Sequence, residues 1–146
     1  MREPEPRTEV SRIACETEQA ARPIILETRR GRLHLRLAAL FLGQDLCVTL
    51  SGGDRPHIGA VALGQSGASA RVLSVPGHRE EALALRLARD LASEIQATVC
   101  LACGIHLDGI RPEEIQDALE LAEALVRDLP GHLRNGHPEA AESAQP

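Results

Sequence analysis

The sequence has almost no aromatic side chains. Its 146 residues include no Trp, no Tyr and a single Phe, Phe41. Base stacking on aromatic platforms, the usual device of single-stranded nucleic-acid binders, therefore has no side chains to support it. The net charge of -5 is acidic, whereas a general nucleic-acid binder carries a basic patch and a high pI. We therefore expect no nucleic-acid partner and a core of Leu, Ile, Val and Ala.

Long apolar runs are also lacking. No run approaches the ~20 residues of a membrane-spanning helix, and the first residues are polar and proline-rich, without the apolar segment of a signal peptide. These features predict a cytoplasmic protein without membrane contact. Thiols stay reduced in that compartment, so we expect the cysteines to be buried packing residues. They are Cys15, Cys47, Cys100 and Cys103.

The length suits one domain. Residues 1–22 are polar and contain two prolines, which indicates a flexible N-terminal arm. Residues 131–146 are rich in Gly, Pro, Ala, Glu and Ser, which predicts a disordered tail. A single α/β domain is therefore expected over residues 23–130.

Hydrophobic periodicity predicts six strands and two helices. Leu33, Leu35 and Leu37 alternate with polar residues, the period of a half-buried strand. Apolar residues recur at helical spacing over 79–96. A second helix begins near Pro112, a favourable first-turn residue, and is expected to stop at Pro130. The predicted strands are 24–28, 33–42, 46–50, 58–63, 70–75 and 98–103.

The element order β-β-β-β-β-α-β-α predicts an α+β fold, a mostly antiparallel sheet of about six strands with two covering helices. Short links favour antiparallel neighbours among the first five strands. The helix between the fifth and sixth strands is a crossover connection, which makes those two strands parallel. The pair Cys100 and Cys103 has CxxC spacing but falls within the sixth strand, where the two side chains face opposite sides.

Three loops rich in glycine and histidine should meet at one edge of this sheet. Residues 77–80 and 104–109 follow the parallel fifth and sixth strands, and residues 52–59 precede the fourth strand, which pairs with the fifth. Both helices begin at the same edge, where free N–H groups suit a phosphate or carboxylate. The candidate binding residues are Gly52, Gly53, Asp54, Pro56, His57, Gly59, Gly77, His78, Gly104, His106 and Asp108.

A metal site is the alternative reading of these loops. His57, His78 and His106, with Asp54 or Asp108, offer the donor atoms of a transition-metal site, as in a metal-dependent hydrolase. The spacing is not that of a dense metal motif, and a single histidine in a loop is more often an ordinary surface residue. No serine or cysteine lies in a nucleophile motif, so the sequence predicts no catalytic residue.

Three segments of the sequence resemble a known family. They are Gly-Gly-Asp-Arg-Pro-His-Ile-Gly-Ala-Val at 52–61, Pro-Gly-His-Arg-Glu at 76–80 and Gly-Ile-His-Leu-Asp at 104–108. Together they are similar to the small accessory subunit of gallate decarboxylase. That family is described as a prenylated-flavin chaperone and resembles the bacterial relatives of proteasome assembly chaperones. The resemblance covers roughly residues 22–130.

The resemblance implies a homodimeric, non-enzymatic protein with a proteasome-assembly-chaperone-like fold. Such a protein would accept prenylated FMN (or FMN) from a flavin prenyltransferase, bind it transiently and help deliver it to a prenyl-FMN-dependent decarboxylase of hydroxyaryl acids. Asp54, His57, His78, His106 and Asp108 would line the cofactor or partner site. Because the chain has one Phe, contacts to the flavin ring would be aliphatic, imidazole or backbone. A protein-only assembly chaperone without a cofactor is the alternative.

Overall fold

A computed structural model of the protein describes residues 22–136 and places them in one six-stranded sheet and two helices. The predicted element order is confirmed. The proposed N-terminal arm, with Cys15, lies outside the described residues except for Arg22, and so do residues 137–146. The elements are β1 (Ile24–Arg30), β2 (Leu33–Leu42), β3 (Asp45–Gly53), β4 (Ala60–Gly64), β5 (Arg71–Ser74), α1 (Glu81–Ile95), β6 (Val99–His106) and α2 (Pro112–Gly136).

The sheet is mixed and mostly antiparallel, which confirms the predicted α+β class. Its strand order is β1-β2-β3-β6-β4-β5. Within residues 22–136, only the β3–β6 pairing is parallel. Strands β5 and β6 are both antiparallel to β4, so they run in the same direction, as a crossover through α1 requires. The carboxyl ends of β3, β5 and β6 therefore lie at one edge of the sheet.

The expectation that β3 and β4 are neighbours is wrong, because β6 inserts between them. The connection at 54–59 crosses over the end of β6, and β3 pairs with β6 from Leu46↔Val99 to Gly53↔His106. Strands lie about 4.8 Å apart, so a short extended segment is long enough to step over one strand. The central position also buries the core-facing side chains of β6, Val99 and Leu101, completely.

The core lies between one face of the sheet and the two helices. Alternate residues of the strands, such as Leu35 and Leu37 in β2, point into it and are fully buried. The helix α1 contributes the apolar stripe predicted from its periodicity, and the core-facing residues of α2 continue the layer over β1 and β2. The buried residues of α1 are Leu83, Ala84, Leu87, Ala88, Leu91 and Ala92.

The cysteines divide between the two faces of the sheet. Cys103 is fully buried in the core, and this burial raises the pKa of its thiol to about 12. Cys47 and Cys100 are register partners on the opposite face and are half-buried. The predicted opposite orientation of Cys100 and Cys103 is confirmed. The prediction that Cys47 and Cys100 are buried is wrong, because within residues 22–136 no helix covers their face of the sheet.

The helix α2 continues past Pro130, where the sequence predicts its end. Proline lacks an N–H group and costs about 3 kcal/mol inside a helix. Leu129 and Leu133 are both buried in the core, and this burial offsets the lost hydrogen bond. Residues 131–136 therefore belong to α2 rather than to a disordered tail. Among residues 22–136, neither helix combines the length and apolar character needed to cross a membrane.

Candidate functional site

The three loops predicted to converge do meet at one edge of the sheet. The ring centroids of His57 and His78 are 4.6 Å apart, and those of His57 and His106 are 6.4 Å apart. His57 and His78 come from the β3–β4 and β5–α1 connections, and His106 is the last residue of β6. Both helices begin at this edge. The crossover topology thus brings together residues that lie up to 49 positions apart in the sequence.

The β3–β4 connection is held against β6 by backbone hydrogen bonds at both of its ends. The Asp54 N–H group donates to the His106 carbonyl at 2.7 Å, and the Gly59 N–H group donates to the Cys103 carbonyl at 2.9 Å. Gly53 has a φ angle of 76°, a conformation that glycine adopts without steric cost. These hydrogen bonds fix the position of His57 relative to the end of β6.

His57 is oriented by its own connection. Its Nδ1 atom is 3.0 Å from the Arg55 carbonyl oxygen, which can only accept a hydrogen bond, so Nδ1 carries the proton. In the neutral ring the Nε2 atom then presents its lone pair. This atom lies 3.0 Å from His78 Nδ1 and 3.2 Å from Glu80 Oε1. His57 is therefore the centre of a small cluster with His78 and Glu80.

Glu80 is the member of the cluster that the sequence analysis missed as a site residue. It is the N-cap residue of α1, but its side chain does not cap the helix. The Oε1 atom accepts a hydrogen bond from the Ile105 N–H group at 3.3 Å, whereas the buried Oε2 atom has no hydrogen-bond partner within residues 22–136. Its position two residues after His78, in the pattern His-x-Glu, was the available signal.

His106 belongs to a different set of contacts. Its Nε2 atom lies 2.9 Å from Asp108 Oδ1, which also accepts a 2.6 Å hydrogen bond from Arg55. The hydrogen bond from His106 and then that from Arg55 lower the pKa of Asp108. Asp54 accepts a 2.8 Å hydrogen bond from the Asp108 N–H group. This exposed group ties the β3–β4 and β6–α2 connections together.

The start of α2 is fixed by a buried carboxylate. Glu114 is 5% exposed and accepts hydrogen bonds from Arg32 and from the Arg111 N–H group. Its pairing with Arg32, and then with Arg111, lowers its pKa strongly. Arg32 also donates to the Asp108 carbonyl at 2.8 Å. The turn after β1 therefore holds the β6–α2 connection, a long-range contact that no local sequence pattern predicts.

A cavity of about 320 Å³ adjoins the histidine cluster. Its lining combines polar residues with aliphatic ones, and the latter include the half-exposed Ile110 and Ile115. Of the predicted binding residues, His57, Gly77, His78 and His106 line this cavity. The remaining predicted residues do not line the cavity: Asp54, Pro56, Gly59 and Asp108 lie in the surrounding connections, and Gly52, Gly53 and Gly104 lie in the ends of β3 and β6. The full lining is His57, Gly77, His78, Arg79, Glu80, Leu83, Ile105, His106, Ile110, Ile115, Ala118 and Leu119.

The two helix N-termini are less suited to an anion than the sequence suggests. Acidic residues occupy both first turns, Glu81 in α1 and Glu113 and Glu114 in α2. Glu114 already accepts a hydrogen bond at the start of α2. The cationic group in the wall of the cavity is Arg79, which makes no ion pair with any residue between 22 and 136. Arg79 is therefore the better candidate for contact with an anion.

Comparison with known proteins places this chain in a family. Protein LpdD from Lactiplantibacillus plantarum is 25% identical over 123 residues, which cover 81% of this chain and 90% of that protein. Residues 29–134 match the family described as the prenylated flavin chaperone LpdD-like domain. This match includes all three connections of the candidate site, the whole of α1, and α2 as far as Arg134. The chain therefore belongs to the prenylated flavin chaperone LpdD-like family.

Proposed function

We propose that this protein binds prenylated FMN (or FMN) transiently and delivers it to a prenyl-FMN-dependent decarboxylase of hydroxyaryl acids, without itself catalysing a reaction. Membership of a prenylated flavin chaperone family supports the cofactor class. The observation that carries the proposal is the cavity that His57 and His78 line together with aliphatic residues. A flavin prenyltransferase is the proposed donor of the cofactor.

The cavity suits a flat, largely apolar ring. Its volume is within the range of about 300–1,000 Å³ that small-molecule sites occupy. Ile110 and Ile115 are 38% and 44% exposed, and a bound ring would remove this apolar surface from water. Phe41 pairs with Leu46 at the opposite edge of the sheet, so aromatic stacking from this residue plays no part. Ring contacts would be aliphatic and imidazole.

The phosphate group of the cofactor would lie at Arg79. Arg79 lines the cavity, is exposed, and has no ion-pair partner in the described part of the chain. Bidentate hydrogen bonds from a guanidinium suit a phosphate. A single exposed cation provides modest affinity, which agrees with a carrier that must release its cargo to an acceptor enzyme.

The protein would act as a homodimer that buries the sheet face opposite the helices. In-register rows of small and apolar side chains cross this face, and one row runs from Ala38 through Thr49, Ala102 and Val61 to Leu73. No charged side chain lies in that row. Monomeric proteins rarely expose large continuous apolar surfaces. A second copy fits because a two-fold axis pairs such a face with itself.

A protein-only assembly chaperone would also use this exposed apolar face. The two functions differ in their dependence on His57 and the cavity, because a protein-only chaperone has no need of either. Cofactor binding predicts that a substitution in the cavity wall abolishes delivery while leaving the dimer intact. The open sheet face alone therefore does not distinguish the two candidates.

Absorbance spectroscopy tests the cofactor directly. The protein is co-expressed with a flavin prenyltransferase and purified anaerobically, and its spectrum is recorded from the near-ultraviolet to the visible. Since the chain has no Trp or Tyr, absorbance there comes from a bound ligand. We expect a flavin spectrum for the wild type and a reduced one for Arg79→Gln, with Arg29→Gln in β1 as control. A colourless protein that still activates the decarboxylase would establish the protein-only function instead.

A further inference from the structure

We propose that His57, His78 and Glu80 bind one divalent transition-metal ion, with Zn²⁺ as the representative. One donor comes from the β3–β4 connection and two come from the segment that leads into α1. One ligand atom from each residue lies within 4.8 Å of the other two. This site goes beyond the proposed cofactor binding and does not depend on it, because the metal needs only side chains of this chain.

The distances between the donor atoms suit a common ion. Zinc binds nitrogen and oxygen ligands at about 2.0–2.1 Å, so tetrahedral ligand atoms lie about 3.3 Å apart. His57 Nε2 is 3.0 Å from His78 Nδ1 and 3.2 Å from Glu80 Oε1. His78 Nδ1 is 3.9 Å from Glu80 Oε2. Both distances from His57 Nε2 therefore lie within a few tenths of an ångström of the tetrahedral spacing.

The ring orientation of His57 is that of a metal ligand. Its Nδ1–H group donates to the Arg55 carbonyl, so the Nε2 lone pair points towards the other two residues. Metal-bound histidines almost always donate their second ring N–H to a carbonyl or carboxylate in this way. The Ile105 N–H group donates to Glu80 Oε1 at 3.3 Å and orients the carboxylate similarly. The outer shell of the site is thus already present.

The buried Oε2 atom of Glu80 provides a second, independent observation. The Glu80 side chain is 12% exposed, and Oε2 has no hydrogen-bond partner within residues 22–136. Leaving a buried acceptor unpaired costs about 1–3 kcal/mol and more for a charged group. A cation would satisfy this oxygen. Gly59 supports the arrangement, since a Cβ atom at that position would lie 2.5 Å from Oε2.

The donor set selects the class of ion. Imidazole nitrogens favour Zn²⁺ and neighbouring transition metals, whereas Mg²⁺ and Ca²⁺ prefer oxygen ligands. His106 is not in the set, because the ligand atoms that lie within 4.8 Å of one another belong to His57, His78 and Glu80. Three protein ligands leave a tetrahedral ion one further position. His57, His78 and Glu80 all line the cavity, so water or an anionic oxygen of a bound molecule can complete the coordination.

Calorimetric titration of ZnCl₂ into untagged, chelator-treated protein tests the site without any flavin. We expect one ion per chain and a dissociation constant at least about 100-fold weaker in His78→Ala and Glu80→Gln. His78 is 36% exposed, so its removal should leave the fold intact. Cobalt substitution adds a second readout, since Co²⁺ bound by these ligands gives visible absorbance that the His78→Ala variant lacks.

The matched controls are His106→Ala and His132→Ala. His106 is the neighbouring histidine outside the proposed set, and His132 is an exposed histidine paired with Asp128 on α2. Both should bind Zn²⁺ as the wild type does. The proposal is overturned if the wild type binds no Zn²⁺ or if His78→Ala and Glu80→Gln retain wild-type affinity. It is equally overturned if His106→Ala loses the ion, because the ligand set would then be a different one.

Discussion

The main chain at His57 passes directly over Gly104. A Cβ atom at residue 104 would overlap the carbonyl oxygen of His57. The backbone of the β3–β4 connection therefore rests on the backbone of β6, with no side chain between them. This contact allows a short segment to cross β6 and places the His57 ring beside His78 and Glu80. A glycine at this point of β6 is a requirement of the crossing.

The substitution Gly104→Ala is expected to destabilise the protein by about 1–3 kcal/mol, because the added methyl group must displace either β6 or the His57 backbone. Urea unfolding measures this change in the free energy of unfolding. The control is Gly131→Ala in α2, where a Cβ atom meets nothing within 4 Å. That variant should gain about 0.5–1 kcal/mol from the higher helix propensity of alanine. If the two variants are equally stable, the backbones at His57 and Gly104 are not in the close contact described above.

The Glu114 carboxylate should make the stability of the protein depend on pH in the acidic range. Pairing with Arg32 and Arg111 lowers its pKa in the folded state below the ordinary value of 4.5. Its contribution is therefore complete above pH 4.5 and is lost as the pH falls towards the folded-state pKa, because the unfolded chain binds the proton more readily. In Glu114→Gln, stability at neutral pH should fall, and its decline below pH 4.5 should be shallower.

The matched control for this experiment is Glu113→Gln. Glu113 adjoins Glu114 in the same helical turn, but its side chain is 65% exposed. Its ion pair with Arg111 has a distance of 3.5 Å, longer than the contacts of Glu114. Exposed ion pairs contribute little to stability. Thermal unfolding followed by circular dichroism across the acidic range should give wild-type behaviour for Glu113→Gln. If the two variants share one pH profile, the Arg32–Glu114 contact does not stabilise the start of α2.

The aliphatic wall of the cavity should contribute directly to flavin affinity. Ile115 is 44% exposed at that wall, and a bound ring would bury its remaining surface. We expect Ile115→Gln to weaken flavin binding roughly tenfold. Titration of reduced prenylated FMN, followed by its absorbance, measures the change. The control is Leu42→Gln at the far end of β2, which is 67% exposed and lies outside the cavity. If Ile115→Gln binds the flavin with wild-type affinity, the flavin ring does not contact this wall of the cavity.

Charged residues on the open sheet face should separate the proposed dimer. Leu63 and Leu73 lie on that face and are 48% and 81% exposed, so their replacement should leave the core undisturbed. We expect the double variant Leu63→Glu/Leu73→Glu to sediment as a monomer with an unchanged circular dichroism spectrum. Ile58→Glu, an equally drastic change at the site edge, should remain dimeric. If the wild type sediments as a monomer, the proposed dimer does not exist. If the double variant sediments as a dimer, this face of the sheet is not the dimer interface.

The sequence determined the element types and the edge at which the histidines meet. Period-two and helical patterns identify strands and helices, because side chains alternate on a strand and recur every 3.6 residues on a helix. The crossover through α1 makes β5 and β6 parallel, so their carboxyl ends lie at the same edge of the sheet. His57, His78 and His106 were therefore expected at one edge, where the structure places them. Local patterning and chain topology suffice for this level of description.

The contacts between side chains that are distant in the sequence are visible in the tertiary structure and not in the sequence patterns. The insertion of β6 between β3 and β4 depends on burial in the middle of the sheet, which short connections do not reveal. The pairing of His57 with Glu80, rather than with His106, depends on backbone contacts between distant segments. The same holds for Arg32 and Glu114, which are 82 residues apart. Such contacts are set by packing in three dimensions, and no periodicity along the chain encodes them.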